Sequence, residues 1–217
     1  MVLAHLCHNA GLDFAFAHCN FGLREAESDG DEAFVKELAG KLKKEFHVIA
    51  FETEDYMKKN KVSLQMAARE LRYDWFLALM EQKGWKTLVT AHHADDNLET
   101  FLINLSRGTG IDGLVGIPEK TENIARPLLK YSREQIMAYA VGQKLEWRED
   151  SSNQETKYLR NKIRLKIVPL LKELHPTFLS NFNHTQHYLS QTAGIAEDHI
   201  NQIKGKLAQG LWVYGME

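Results

Sequence analysis

Thr87-Leu88-Val89-Thr90-Ala91-His92-His93-Ala94-Asp95-Asp96-Asn97-Leu98-Glu99-Thr100 is the stretch whose reading decides the fold. Its first four residues are of the kind buried in a strand, and they run directly into two histidines and three carboxylates. Arg107-Gly108-Thr109-Gly110 follows as a cationic turn. The pattern predicts a strand, a loop and a helix, with acid, imidazole and guanidinium groups at the strand's carboxyl end. Open α/β sheets place their ligands there. With 100° per residue from Asp95 to Arg107, Leu98, Phe101, Leu102 and Leu105 form one apolar stripe. His92, Asp96, Glu99 and Ile103 share the neighbouring arc, and Arg107 lies just beyond it. Two readings of the acids stay open at this level. Asp95 and Asp96 suit the positive end of a helix dipole as ordinary first-turn acids, with His93 a solvated loop residue. Alternatively, His92, Asp96 and Glu99 act together on Mg²⁺, an ammonium group or a polarised oxygen.

Outward from this stretch, strands and helices alternate. Met1 to Ala10 reads as a helix stopped by Gly11, and Asp13 to Cys19 as a buried strand. Ser28 is expected to cap a helix with Phe34, Val35, Leu38 and Leu42 inward. His47 to Phe51 reads as the next strand. Ser63 caps a helix to Lys83, with Ala67, Leu71, Trp75 and Ala78 on its core face and Gly84 as its stop. The expected fold class is therefore α/β, a doubly wound parallel sheet followed by a helical extension. Arg126-Pro127-Leu128-Leu129 reads as a short apolar turn, and Ser132 to Gln135 as a capping box opening a helix to Gly142. Asp150 to Asn153 is a polar loop, which puts the domain boundary between residues 1–153 and 154–217. From Lys157 to Lys172 there are six cations (Lys157, Arg160, Lys162, Arg164, Lys166 and Lys172) and no acid. That run is either a solvated helix face or a phosphate-binding stripe. After Pro176 comes a helix of about 40 Å. Its polar, heptad-like seam is Phe178, Phe182, Thr185, Leu189, Thr192, Ala196, His199 and Ile203. Leu211 to Tyr214 is expected to start a strand.

The 217 residues are 44% hydrophobic and 26% charged with a net charge of −2, an ordinary globular composition that demands no nucleic acid globally. No apolar run approaches the roughly 20 residues that cross a bilayer. Cys7 and Cys19 form no CxxC pair, which fits a reducing, cytoplasmic setting.

Several motifs, in order, resemble those of bacterial tRNA(Ile)-lysidine synthetases. They are His18-Cys19-Asn20-Phe21-Gly22-Leu23-Arg24 with Ser28 and Asp31, Ala68-Arg69-Glu70-Leu71-Arg72-Tyr73, and the run Ala91 to Thr100. Arg107 to Gly110 with Gly113-Leu114, Arg126 to Leu129, Asp150-x-Ser152-Asn153 and Arg160-Asn161-x-x-Arg164 complete the set. The resemblance covers residues 1–175. It implies an adenine nucleotide alpha hydrolase-like, Rossmann-like fold that uses ATP with Mg²⁺. It further implies adenylation of the wobble cytidine of isoleucine tRNA with a CAU anticodon, followed by attack of L-lysine. On that pattern Asp96, Glu99, Arg69, Arg72 and His92 are the catalytic candidates, and His18, Asn20, Arg24 and Arg107 bind the nucleotide. Arg126, Lys157, Arg160, Lys162 and Arg164 would hold tRNA; no resident metal is implied, and a homodimer is admitted as an assembly. The family's SGGxDS phosphate loop is not found, and Phe21 stands where the family has histidine. The expectation is a shortened form with impaired ATP binding. Rival readings are a metal-dependent phosphohydrolase using His92, His93, Asp95 and Asp96, a tRNA-thiolating relative, and a non-catalytic tRNA-binding remnant.

Overall fold

The computed structural model describes residues 1–24, 26–149 and 158–214, with side chains up to residue 207. Asp150 to Asn153, where the domain boundary and one motif were expected, and Lys157 lie outside the described residues. Contacts divide the chain into two compact units. The first is Met1–Thr90, Glu122–Ala125 and Met137–Asp150; the second is Ala91–Thr121, Arg126–Ile136 and Ser151–Glu217.

In the first unit, α1 (Val2–Asn9), β1 (Phe16–Asn20), α2 (Ala26–Lys41), β2 (Phe46–Ala50), α3 (Thr53–Asn60) and α4 (Leu64–Lys83) precede β3 (Leu88–Val89), which pairs with β4 (Ile124–Ala125). Both pairs are parallel: Phe16 sits opposite Phe46 and Asn20 opposite Ala50, while Leu88 faces Ile124 and Val89 faces Ala125. The α/β character and parallel pairing are as expected. Instead of one continuous sheet, the ladders among the described residues form two separate two-stranded pairs. The second is extended only by Leu88 N donating to Asn123 O and Thr90 N to Ala125 O.

Local chemistry explains the ends of α4. Ser63 Oγ accepts from Met66 N at 3.3 Å, and Gly84, at φ 68°, closes α4 by donating to Glu81 O and Met80 O. Other ends shift. Helix α2 begins at Ala26, so Ser28 is buried inside it rather than capping it. Its first turn carries Glu27 and Asp29 instead, acids that favour the positive helix end. Strand β1 starts at Phe16 and is half-buried, not buried from Asp13. On α4, Ala67 is buried and Leu71 and Trp75 are half-buried, as expected of the core face, whereas Ala78 is exposed and Leu79 and Met80 are buried near the helix end instead. Helix α3 escapes apolar periodicity because it is almost wholly polar; buried Thr53 anchors it, donating from Oγ1 to Phe21 O at 3.0 Å.

In the second unit, α5 (Ala94–Ser106), α6 (Ile111–Leu114), the start of α7 (Arg133–Gly142), α8 (Leu159–Lys162), a π-helical turn (Ile163–Ile167), α9 (Val168–Glu173) and α10 (Phe178–Tyr214) surround one core. That core is Leu98, Ile163, Val168 and Phe182, flanked by Phe101, Leu102, Ile103 and Phe178. Phe101 meets Phe182 edge-on at 5.4 Å. Leu105, one residue before the end of α5, lies outside it at 52% exposed. The capping box is present, with Gln135 N on Ser132 Oγ and Ser132 N on Gln135 Oε1. The π-turn precedes Pro169, which lacks an N–H to donate back along the helix and displaces the carbonyl it would otherwise meet. Helix α10 has 37 residues and is about 55 Å long. It continues through Leu211 to Tyr214, where a strand was expected. A helix satisfies its backbone groups locally; a strand needs a neighbour. Of its seam, Phe182 is buried and Phe178 and Leu189 are half-buried, whereas Ile203 is 45% exposed.

Leu98→Ala, removing a side chain 1% exposed, is expected to cost about 2–5 kcal/mol in urea unfolding. A loss under about 1 kcal/mol would mean that this core is not the second unit's main apolar support.

Candidate functional site

Strand β3 hands the chain to Thr90, Ala91 and His92, and His93 then caps α5. His93 Nδ1 accepts from Asp96 N at 3.3 Å while Asp96 Oδ2 accepts from His93 N at 3.0 Å. This reciprocal cap fixes the first turn, and His93 is a cap rather than a solvated loop residue. The three acids then diverge. Asp95 is 6% exposed and structural in its contacts: Oδ2 accepts from Arg133 N at 2.9 Å, and Oδ1 pairs with Lys172, whose Nζ also reaches Glu134 at 2.7 Å. Asp96 is half-buried. Glu99 is 0% exposed, yet ionisable.

What makes Glu99 tolerable is Arg164. Its Nε donates to Glu99 Oε1 at 2.7 Å and its Nη2 to Glu99 Oε2 at 3.0 Å, a two-pronged clamp; Nη2 also lies 3.2 Å from Asp96 Oδ1. Arg160 stands behind, with Nε 3.8 Å from Glu99 Oε2 and Nη2 donating to Thr100 Oγ1 at 2.9 Å. Burial raises the Glu99 pKa, against the opposing pull of Arg164. Burial works against the Arg164 charge too, but Glu99, Asp96 and Asp95 outweigh it and its pKa is raised. The two-pronged clamp thus opposes the cost of burial on both partners.

The basic run is therefore split. Arg160, Arg164 and Lys172 turn toward the acids of α5, while Lys162 and Lys166 are exposed. Arg126 is buried at 7% exposure just after β4, and Arg107 is exposed at the end of α5.

The first unit holds a second polar cluster. Asn20, at the end of β1 and 8% exposed, donates to Asp29 Oδ1 at 3.2 Å and Glu32 Oε2 at 3.0 Å. Gly22 N bonds Asn20 Oδ1 at 3.0 Å, and Arg24 pairs with Glu27 and Asp31 at 3.3 Å each. Arg148 Nε reaches Asp31 Oδ1 at 2.7 Å. Its guanidinium lies where residue 30 can only be glycine without a shift, since a β-carbon there would stand 2.8 Å from Nη2. Burial lowers the His18 pKa despite Glu32 and Asp31, which keeps the ring neutral at pH 7. Arg72 lies over the Phe21 ring at 5.2 Å and Arg69 over Tyr73 at 4.9 Å, both arginines being exposed.

Among the described residues, no group of three or more His, Cys, Asp or Glu is placed to hold a metal ion. His93 and Asp95, two members of the suspected metal box, spend their polar atoms on the cap and on Arg133 and Lys172. Burial raises both thiols, Cys19 to about 11, so neither is a ready nucleophile. No helix among the described residues is long and apolar enough to cross a membrane. Sequence reading missed the partnership of Asp95 with Lys172 and Glu134. It also missed the burial of Asn97 and of Gln186; only Asn97, one position from the apolar stripe, carried a hint.

A family model described as a PP-loop domain matches residues 1–171. The chain is 44% identical to a tRNA(Ile)-lysidine synthase of Porphyromonas gingivalis over 93% of its own length and 46% of that protein's. It is 42% identical to the one of Bacteroides thetaiotaomicron, over 95% and 49%, and 40% identical to that of Chlorobaculum tepidum, over 85% and 55%. The chain thus spans about half the length of the curated relatives it matches. In structure it is similar to the U34-tRNA thiolase NcsA of Methanococcus maripaludis, with a TM-score of 0.69 at 17% identity over 87% of this chain and 66% of that one. That likeness shows the fold.

Glu134 yields a pH test. Burial pushes its carboxyl up, but Lys172, its own backbone amide and Ser132 outweigh this and hold it at about 2. A depressed carboxyl stabilises the fold above its unfolded pKa of about 4.3, and the contribution fades as pH falls toward 2. The side chain is 67% exposed, so the contribution is expected below about 1 kcal/mol. In urea unfolding, the advantage of the unsubstituted protein over Glu134→Gln should therefore shrink between pH 6 and pH 3. A gap that stays constant would contradict the pairing.

Proposed function

The chain belongs to the PP-loop domain family, and on that premise we propose that it serves ATP-dependent attachment of lysine to a transfer RNA. In the proposed first step, the C2 oxygen of the wobble cytidine of isoleucine tRNA with a CAU anticodon attacks the α-phosphorus of ATP, and pyrophosphate leaves. In the second, an amine of free L-lysine attacks C2 and AMP leaves, giving lysidine. Support comes from the relatives, which carry that name at 40–44% identity, and from the chemistry of α5.

The observation that carries the reading is the carboxylate pair Asp96 and Glu99, clamped on a single guanidinium. An acid pair, one member buried and the other half-buried, that already holds one diffuse cation is suited to exchange it for an ammonium group. The amine must lose a proton before it attacks, a task for His92 or the carboxylates. In the first unit, Arg69 and Arg72 are assigned to charge developing on the phosphate, and His18, Asn20 and Arg24 to the nucleotide. Exposed Lys162 and Lys166 are assigned to tRNA backbone; Arg160 and Arg164, in the paired state, serve the acids. Mg²⁺ would enter with the ATP phosphates and neutralise their charge; the described residues hold no ready-made cage for it.

The test supplies the polypeptide, over its whole reading frame, with ATP, labelled lysine and the CAU tRNA. Lysine incorporation with matching pyrophosphate release is expected, falling about 10²-fold or more in Asp96→Asn and Glu99→Gln. No incorporation by the unsubstituted protein would overturn the proposal. Tight tRNA binding without ATP turnover, unchanged by either substitution, would instead mark a binding protein.

A further inference from the structure

Arg126 is anomalous among the arginines of this chain. Arg24, Arg148 and Arg164 are partly buried or half-exposed, and each meets a carboxylate. Arg126 is only 7% exposed, and among the described residues no acid pairs with it. Its Nη1 donates to Pro118 O at 2.8 Å, while its Nε is shut off from solvent without a partner. Glu119, whose backbone oxygen accepts from Arg126 N, gives its carboxylate to Lys130 at 3.0 Å. A buried cation without a counter-charge is costly, and a native structure that keeps one calls for an explanation. The edge left over, Nε with Nη2, is the one that grips two oxygens of an anion at once.

A second buried side chain with unspent polar atoms borders the same turn. Gln186 of α10 is 6% exposed, and neither its Oε1 nor its Nε2 has a partner. It abuts the turn that Arg126 holds: Gly116, at φ +73°, has space for no β-carbon, because one would collide with Asn97 Oδ1 and lie 3.0 Å from Gln186 Oε1. Asn97 Oδ1 in turn accepts from Ile117 N at 2.6 Å. The segment from Gly116 to Pro118 is therefore bordered by Arg126 at one end and Gln186 at the other, both buried and both with unspent hydrogen-bonding groups.

We propose that Arg126, with Gln186 as a neutral second donor, forms a subsite for a phosphate group beside the Gly116–Pro118 turn. A carboxylate would spend both oxygens on the guanidinium edge and leave Gln186 unmet. A phosphate has a further oxygen for Gln186 Nε2. The inference is independent of lysine chemistry, since it rests on buried groups away from the acid pair's contacts. The phosphate comes either from a free or nucleotide-borne anion or from an RNA backbone, and the experiment separates the two.

The unfolding midpoint of this chain is followed against inorganic phosphate, pyrophosphate and a short single-stranded RNA, with acetate as control. The proteins are the unsubstituted chain, Arg126→Met, Arg126→Lys and Gln186→Leu. Phosphate also stabilises proteins through general exclusion from their surface, so the readout is the difference between proteins. A saturable rise is expected in the unsubstituted chain. It should be absent in Arg126→Met and need about tenfold more anion in Arg126→Lys, which keeps the charge but loses the edge. Gln186→Leu should weaken the response. Saturation at lower concentration by pyrophosphate identifies a nucleotide source. Tighter binding of RNA, with a salt slope reduced by about 1 in Arg126→Met, identifies a backbone source. Equal responses in the unsubstituted chain and Arg126→Met, or no saturable response to any of the three anions, would overturn the proposal.

Discussion

The second unit depends on one ion pair, Glu99 with Arg164. A carboxylate at 0% exposure is stable only if its charge is met, and a guanidinium meets both oxygens with least loss of freedom. Meeting it sets the rest in place. Arg164 sits in the π-turn between α8 and α9, so the clamp draws that segment onto α5 and seats Ile163 and Val168 against Leu98. Leu98 and Glu99 are neighbours in sequence; the apolar core and the ion pair are consequently one structure, and neither forms well without the other. Lys172 on Asp95 then fastens the far end of the same segment.

This arrangement gives three nearby acids three different parts. Asp95 is spent on an amide and an ammonium, so its charge is committed to the fold. Asp96 shares itself between the His93 cap and Arg164. Glu99 gives everything to Arg164 and borders Arg160. A cation that competes for Asp96 and Glu99 must match Arg164, which confers selectivity on whatever enters: a strongly basic amine can compete where a neutral ligand cannot.

Much of this was readable in the residues. Ser63, Gly84 and the Ser132–Gln135 box announced element ends because caps are local chemistry. The stripe of Leu98, Phe101 and Leu102 announced a buried face because helical period decides which side chains meet. The ordered motifs announced the family. Other features depend on partners far along the chain. The run from Lys157 to Lys172 reads as a stripe facing a ligand or solvent, since nothing local reveals that Arg164 meets Glu99 or that Lys172 meets Asp95, 77 positions away. Ser28 looks like a cap and is not one, because the helix starts two residues earlier. Helix α3 has too few apolar residues to signal itself, and the end of α10 resembles a strand only until the lack of a pairing neighbour is considered. The burial of Arg126 and Gln186 likewise follows from tertiary packing around a glycine turn.

The most direct measurement is a double-substitution cycle of Glu99→Gln and Arg164→Met, read as unfolding free energy in urea. Each single change leaves a buried charge, or part of one, unmet and should cost about 3–5 kcal/mol. If the pair organises the unit, the double variant should be less damaged than the sum by about 1–3 kcal/mol. Costs that add to within about 0.5 kcal/mol would show that Glu99 and Arg164 stand side by side without depending on each other, contradicting the central claim.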